Sequence, residues 1–372
     1  MHDLKLIAAN DAFGALVALT DVLDGKQALF VTAPEVNGKM PETHGLPEQV
    51  GDRIALIVES SGSTGRPKRI QISREALIAS ANSSALALGS FEGTAQWLLA
   101  LPINYIAGLN VLTRSVLAGT QPVLMNTSVP FTPEAFSRSA SFMTGDRRYT
   151  SLVPTQLARL AKAVDQDPYL LSQLRKFDAI LVGGQAPQDE VVDKLTHLGV
   201  NLVITYGMTE TCGGCVYNGQ PLAGVEVATN AGRIGVKGPM LAEVPTDENG
   251  FYWTNDEGVV YSDGRLEIIG RMDRVINSGG IKISLDRVEQ LAQQVVGVTG
   301  LAATAIDDVE WGQRVGIAFT GSPEVADEVA TALADDLGPA GRPIRILRVD
   351  KLPLLPNGKN DLLAIKQLFE EN

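Results

Sequence analysis

Residues Ser60 to Lys68 read SSGSTGRPK, a run of glycines and hydroxyls that ends in a lysine. Small residues let backbone N–H groups approach phosphate oxygens, Ser and Thr hydroxyls add donors, and Lys68 supplies positive charge. The run is not a Walker loop. Counted from Gly62, G-x-x-x-x-G-K-[ST] requires glycine at 67 and a hydroxyl residue at 69, where the chain has Pro67 and Arg69. The expected ligand is a nucleotide phosphate held in a different frame.

Two further glycine-marked strings follow apolar runs. GGQAP, Gly183 to Pro187, comes after AILV, and paired glycines let a flat ring lie against the backbone; alone, the string reads equally well as a plain strand-to-helix turn. YGMTET, Tyr206 to Thr211, offers an aromatic face, the Thr209 hydroxyl and the Glu210 carboxylate. A carboxylate beside phosphate-binding donors repels the ligand unless a cation lies between them, so Glu210 suits Mg²⁺; its bland reading is a solvated loop acid. Cys212 and Cys215 form a C-x-x-C in TCGGC, and the three histidines, His2, His44 and His197, show no metal-ligand spacing. Zinc would need about two more ligands. The pair reads as small, soft side chains beside a binding loop.

These groups need a rigid frame, and the sequence provides alternating elements. Expected strands are Ile54 to Val58, Trp97 to Leu101, Pro122 to Met125, Tyr149 to Val153, Ala179 to Val182 and Leu202 to Thr205. Expected helices run over Ser73 to Leu88, Leu109 to Ala118, Pro133 to Phe142, Thr155 to Val164 and Gln188 to Leu198, with Ser73 and Thr155 as N-caps. This is an α/β pattern: an open, mostly parallel sheet with ligand loops at the strand ends. After Gly213, short β-rich runs such as GRIGVKG, FYWT and LEIIG indicate a small β-subdomain. From Arg271 on, strands and helices alternate again over about one small α+β domain of ~100 residues.

The 372 residues suffice for a large core, and 45% are hydrophobic. No apolar run approaches the ~20 residues that span a bilayer, and the N-terminus has no signal-like pattern, so a cytoplasmic protein without membrane insertion is expected. A net charge of -12 argues against nucleic-acid binding. Any anionic ligand must be held by focused local groups.

The ordered series SSGSTGRPK, GGQAP, YGMTET, DGRLEIIGRMDR and PNGK resembles the adenylate-forming superfamily of acyl-CoA ligases, luciferases and peptide-synthetase adenylation domains, over roughly Ile54 to Lys359. The resemblance implies a large N-terminal domain, residues 1–270, a mobile C-terminal domain, 271–372, and an active site between them. It assigns Ser61, Ser63, Thr64 and Lys68 to the ATP phosphates, Thr209 to the α-phosphate and Glu210 to Mg²⁺. Gly183, Gly184, Gln185, Ala186, Pro187 and Tyr206 would surround adenine, Asp256 and Arg271 would hold the ribose, and Asp273 would be the hinge. Lys359 matches the catalytic lysine of adenylation, while Gly279, Gly280 and Lys282 would contact coenzyme A. The implied reactants are a small carboxylic acid, ATP and CoA, and a homodimer is implied only by analogy.

The first signature lies near residue 60, earlier than in typical members, and this short form with TCGGCVYNG is similar to the o-succinylbenzoate–CoA ligases of menaquinone biosynthesis in their actinobacterial form. Two details depart from the superfamily: Tyr105 in LPINYIAG replaces a common histidine, and TND at Thr254 to Asp256 replaces TGD. Tyr105, Cys212, Gly213 and Gly214 fall to the acid pocket by position, whereas Arg114, Arg147 and Arg148 are candidates for pairing with the acid's second carboxylate that read no better than surface charges. A CoA ligase for another aromatic or medium-chain acid, a carrier-loading adenylation domain and a non-catalytic ATP-binding relative stay open as alternatives.

Overall fold

The apolar run IALIV forms an interior strand of a five-stranded sheet. In a computed structural model, which describes residues 1–37, 39–60, 68–90, 95–355 and 358–371, that sheet contains β1 (His2–Ala8), β2 (Ala28–Thr32), β3 (Gln49–Val50), β4 (Ile54–Ser60) and β5 (Lys68–Ser73). Their order is β3-β1-β2-β4-β5, with β1, β2 and β4 parallel. The β1–helix–β2 stretch was not foreseen in the sequence; its helix α1 (Ala12–Leu23) is capped by Asp11, which accepts from Gly14 N.

The expected strand before the phosphate signature and the expected helix after it are both present, and between the signature and the helix lies a strand the sequence reading did not include. β4 and β5 pair antiparallel, with Glu59 opposite Arg69 and Ser60 opposite Lys68. Residues 61–67 connect these strands, and α2 (Arg74–Leu88) begins only after β5, with Ser73 Oγ accepting from Ala76 N at 3.1 Å. No helix N-terminus follows the signature directly.

A second sheet is built from β6 (Ala95–Leu99), β7 (Val123–Leu124), β8 (Arg147–Leu152), β9 (Ala179–Val182), β10 (Leu202–Met208), β11 (Gly213–Tyr217) and β12 (Gln220–Pro221). The order is β12-β11-β10-β9-β8-β6-β7; the five strands from β10 to β7 run parallel and β11 and β12 are antiparallel additions. Alternate side chains serve opposite faces. Trp97, Leu99 and Leu181 join one core with α1, α2 and α3 (Ile106–Ala118), while Leu98, Ile180 and Val182 join another. The latter is completed by α4 (Pro133–Ser141), α5 (Pro154–Ala163), α6 (Pro168–Leu174) and α7 (Asp189–His197). Thr155 is not an N-cap: Pro154 starts α5, and the preceding Val153 N–H is satisfied by Gln156 Oε1 at 3.1 Å.

These elements form one compact unit, Met1–Val227 with Val236–Tyr252; a second comprises Ala228–Gly235 and Trp253–Asn372. β13 (Glu226–Asn230), β14 (Arg233–Lys237), β15 (Tyr252–Val260) and β16 (Leu266–Arg271) form a sheet in that order. The second unit continues with β17 (Val275–Ser278), β18 (Ile281–Ser284), α8 (Leu285–Gln293), β19 (Val298–Asp308), β20 (Gly312–Gly321), α9 (Ala326–Leu337), β21 (Arg345–Arg348) and α10 (Leu362–Glu371). Within this unit Arg271 N donates to Asp286 Oδ2 at 2.6 Å, and Arg274 pairs with Asp286 and with Glu289 on α8. No described helix is long and apolar enough to cross a membrane.

Candidate functional site

In the first unit the chemistry-bearing strings stand at the ends of parallel strands. Gly183 directly follows β9 and its N–H donates to Leu152 O at 3.2 Å, so GGQAP leaves the sheet at once. β10 runs further than expected: Tyr206, Gly207 and Met208 stay in the strand, with a bulge between Tyr206 and Gly207. Gly207 is required there, since a Cβ would lie 2.0 Å from Gly213 O. Thr209–Thr211 form one 3₁₀ turn, fixed by Thr211 Oγ1, which accepts from Met208 N at 2.9 Å and donates to Gly213 O at 2.7 Å. This presents Thr209 and Glu210 on a rigid corner, both half-buried. Lys68 begins β5 and is exposed, whereas Ser61, Ser63 and Thr64 lie outside the described residues.

A single carboxylate fits Mg²⁺, which takes one or two protein carboxylates and fills its octahedron with water and substrate phosphates. Among the described residues no cluster of three His, Cys, Asp or Glu side chains could hold a metal alone. Glu210 thus fits a metal that arrives with a nucleotide.

The loop after Glu210 is anchored from below. Cys212 adopts a left-handed conformation, φ 52°, and its carbonyl accepts from Asn110 Nδ2 at 2.7 Å and Ser80 Oγ at 3.0 Å. Gly214 lies against the Tyr217 ring, whose hydroxyl meets Ser84 Oγ at 2.8 Å and accepts from Arg114 Nη2 at 3.3 Å. Arg114 is 7% exposed and its guanidinium lies 5.0 Å from the Trp97 ring centroid. Among the described residues it has no acidic partner, and its Nε is buried without a hydrogen bond, as are Asn110 Oδ1 and Thr113 Oγ1 on the same helix. Tyr105 precedes α3, and burial, outweighing its hydrogen bond to Asn104, raises its phenol above the ordinary value.

Both cysteines are buried, so neither is a reactive thiol. Burial pushes Cys215 up to about 12 and Cys212 higher still, with the neighbouring Cys215 adding to the effect on Cys212. Ellman's reagent is expected to label neither thiol in the native protein and both after unfolding in guanidinium. Fast labelling of the native protein would contradict this burial.

The second unit gathers a separate set. Asp256 and Arg271 face each other across β15 and β16, with Arg271 Nη1 3.7 Å from Asp256 Oδ1. The same guanidinium forks onto Asp273, Nε to Oδ1 at 2.7 Å and Nη2 to Oδ2 at 2.6 Å. Lys359 lies in a turn held by Leu355 N to Lys359 O at 2.8 Å and by the Leu354–Asn360 bridge. Burial first, then repulsion from Arg271, lowers its ammonium below the ordinary lysine value, and Asp256 opposes that shift. Asp256, Arg271 and Lys359, far apart in sequence, thus share one electrostatic neighbourhood.

Gly279 and Gly280 form the two-residue loop of the β17–β18 hairpin, with φ 59° and 86°. A Cβ on Gly279 would lie 2.7 Å from the Trp311 ring. Lys282 is exposed on β18, at the end of its sheet.

A family model described as AMP-binding enzyme matches residues 3–265. The chain belongs to that family. A probable 2-succinylbenzoate–CoA ligase of Mycobacterium tuberculosis is 36% identical over 99% of this chain and 98% of that protein. Among solved structures, the o-succinylbenzoate CoA synthetase MenE from Bacillus subtilis with the acyl-adenylate intermediate OSB-AMP has a TM-score of 0.76 at 23% identity, covering 98% of this chain and 88% of that one. The same synthetase with ATP and magnesium gives 0.74 at 23% identity, over 98% and 89% of the two chains. These structural likenesses establish the shared fold.

In this AMP-binding enzyme the sequence did not separate Arg114 from the other two arginine candidates, and it did not single out Trp311. Arg114 carried a usable signal: it is the sole charge in the helix IAGLNVLTRSVLA, whose other polar residues, Asn110, Thr113 and Ser115, are uncharged. Trp311 had none, because its packing on Gly279 depends on how β17 and β20 pair.

Proposed function

We propose that this chain is an ATP-dependent, AMP-forming 2-succinylbenzoate–CoA ligase acting in the cytoplasm. The observation that carries acyl-adenylate chemistry is the grouping of Lys359 with Asp256 and Arg271 within one unit. A cation for the reacting phosphate and a carboxylate–guanidinium pair for ribose hydroxyls are the groups one bound nucleotide needs there. The full-length likeness to the mycobacterial ligase supports the choice of acid.

In the first step an oxygen of the acid attacks the α-phosphorus of ATP and pyrophosphate leaves. Lys359 stabilises the negative charge gathering on the transferring group, and Thr209 hydrogen-bonds the α-phosphate. Lys68 and the hydroxyls of Ser61, Ser63 and Thr64 hold the departing phosphates, while GGQAP and Tyr206 bracket adenine. Mg²⁺ on Glu210 would neutralise phosphate charge when bound. In the second step the thiol of CoA attacks the acyl carbonyl, loses its proton and displaces AMP. Rotation of residues 271–372 about Asp273 would exchange Lys359 for the Gly279–Gly280 turn between the steps. The exposed Lys282 is positioned on that hairpin to meet a phosphate of CoA.

The acid has two carboxylates, and Arg114 supplies a charge for the second. A buried guanidinium lacking an acidic partner is costly unless an anion or water completes its hydrogen bonds. Its contact with Tyr217, whose ring lies against Gly214, supports that role because Gly214 is one of the residues assigned to the acid pocket.

The test is incubation with ATP, Mg²⁺, CoA and 2-succinylbenzoate. AMP and the thioester should appear in equal amounts. Production of no AMP with this acid or with a panel of aryl and alkyl acids would refute the ligase assignment.

A further inference from the structure

Arg233, on β14, makes a set of contacts that sheet pairing does not require. Its Nη2 donates to the carbonyl of Trp253 at 3.0 Å and to Asn255 Oδ1 at 3.3 Å, and its Nε donates to the carbonyl of Thr254. Three acceptors on three consecutive residues are thereby taken by one planar fork. The next residue is Asp256. Thr254 extends the grip: its buried Oγ1 donates to Ile234 O at 3.1 Å and accepts from Asp256 N at 3.0 Å. Two successive residues of β14 thus fix the backbone from 253 to 256 just where β15 acquires a bulge, between Glu257 and Gly258.

We infer that Arg233 is a positioning residue for the nucleotide ribose. By locking residues 253–255 it sets the location of the Asp256 carboxylate opposite Arg271, and so the geometry of the hydrogen bonds that the two offer to ribose hydroxyls. The inference rests on Asp256 being a ribose ligand, as proposed above. A guanidinium suits the task because its donors are rigidly spaced, whereas a lysine ammonium cannot span the same three acceptors. Carboxylate hydrogen bonds weaken steeply with distance and angle, so a small shift of β15 is felt at the ribose. The side chain at 255 is part of the lock: Asn255 provides an acceptor that glycine would lack.

The experiment compares ATP with 2′-deoxy-ATP and 3′-deoxy-ATP in acid-dependent pyrophosphate exchange. Wild-type protein should prefer ATP in kcat/KM. Arg233→Lys should reduce that preference about tenfold, chiefly through KM for ATP, with little further loss on the deoxynucleotides. Asn255→Ala, at an exposed position, should move the preference the same way by less. Should Arg233→Lys fail to fold, Arg233→Gln and Asn255→Ala carry the same comparison. If the variants slow ATP and both deoxynucleotides equally, the preference stands intact, Arg233 only holds the sheet together and the inference is overturned. A wild-type enzyme with no preference for ATP overturns the ribose assignment itself, and the inference with it, before any variant is made.

Discussion

Lys359→Ala is expected to slow acyl-adenylate formation by about 10²–10³-fold, the range for removing one prealigned charge-stabilising group from a site where charge develops. Thioester formation from supplied acyl-adenylate and CoA should stay within about threefold of wild type, since that step breaks the acyl–phosphate link without transfer at phosphorus. Single-turnover measurement of each half-reaction separates the two. Equal loss in both would refute a lysine that serves adenylation alone. The alkaline limb adds a sign. Only the ammonium form stabilises an anionic phosphoryl group, and burial together with Arg271 lowers its pKa from the ordinary 10.5. Adenylation should therefore fall as pH rises through a value below that of an exposed lysine. Lys359→Arg, whose guanidinium does not deprotonate in this range, should keep less activity at neutral pH but lose that limb.

How much of this was legible without coordinates differs between the frame and the site. The parallel strands were readable because AILV and NLVIT are short, apolar and followed by glycine or helix signals, and the strand Ala179–Val182 matches its expected bounds. The phosphate hairpin was not. The helix from the Ser73 cap was expected and is there, but RIQIS, although it alternates polar and apolar residues, is too short to stand as a strand by itself; the cross-strand partner that makes β5 a strand is β4. The Cys212 loop shows the same limit in finer detail. Its composition suggested small pocket walls, but the left-handed residue is the cysteine, not only the glycines, and Asn110 and Ser80 hold it from helices distant in sequence. Lys359 was legible as a motif, whereas its lowered pKa comes first from burial and then from Arg271, against the opposing pull of Asp256, and none of these is visible in the string. Local chemistry can be read from a string; mutual placement across the chain cannot.

Arg114 provides the second large expected effect, and it bears on which acid the enzyme selects. Arg114→Met keeps the volume along α3 and removes the charge, so the contact with Trp97 is largely retained as packing. With 2-succinylbenzoate, kcat/KM should fall about 10²–10³-fold, in line with the 2–5 kcal/mol lost on truncating one side of a buried, hydrogen-bonded charge pair. With 4-oxo-4-phenylbutanoate, which has the same succinyl arm and no ring carboxylate, the variant should be no worse than wild type. It should even gain, because wild-type protein must bind that acid over an unpaired cation. The comparison separates charge recognition from structural support. A guanidinium that only braces Tyr217 and Trp97 would, once removed, slow both acids alike. Loss confined to the dicarboxylate would make Arg114 the group that distinguishes this ligase from relatives that activate simpler acids.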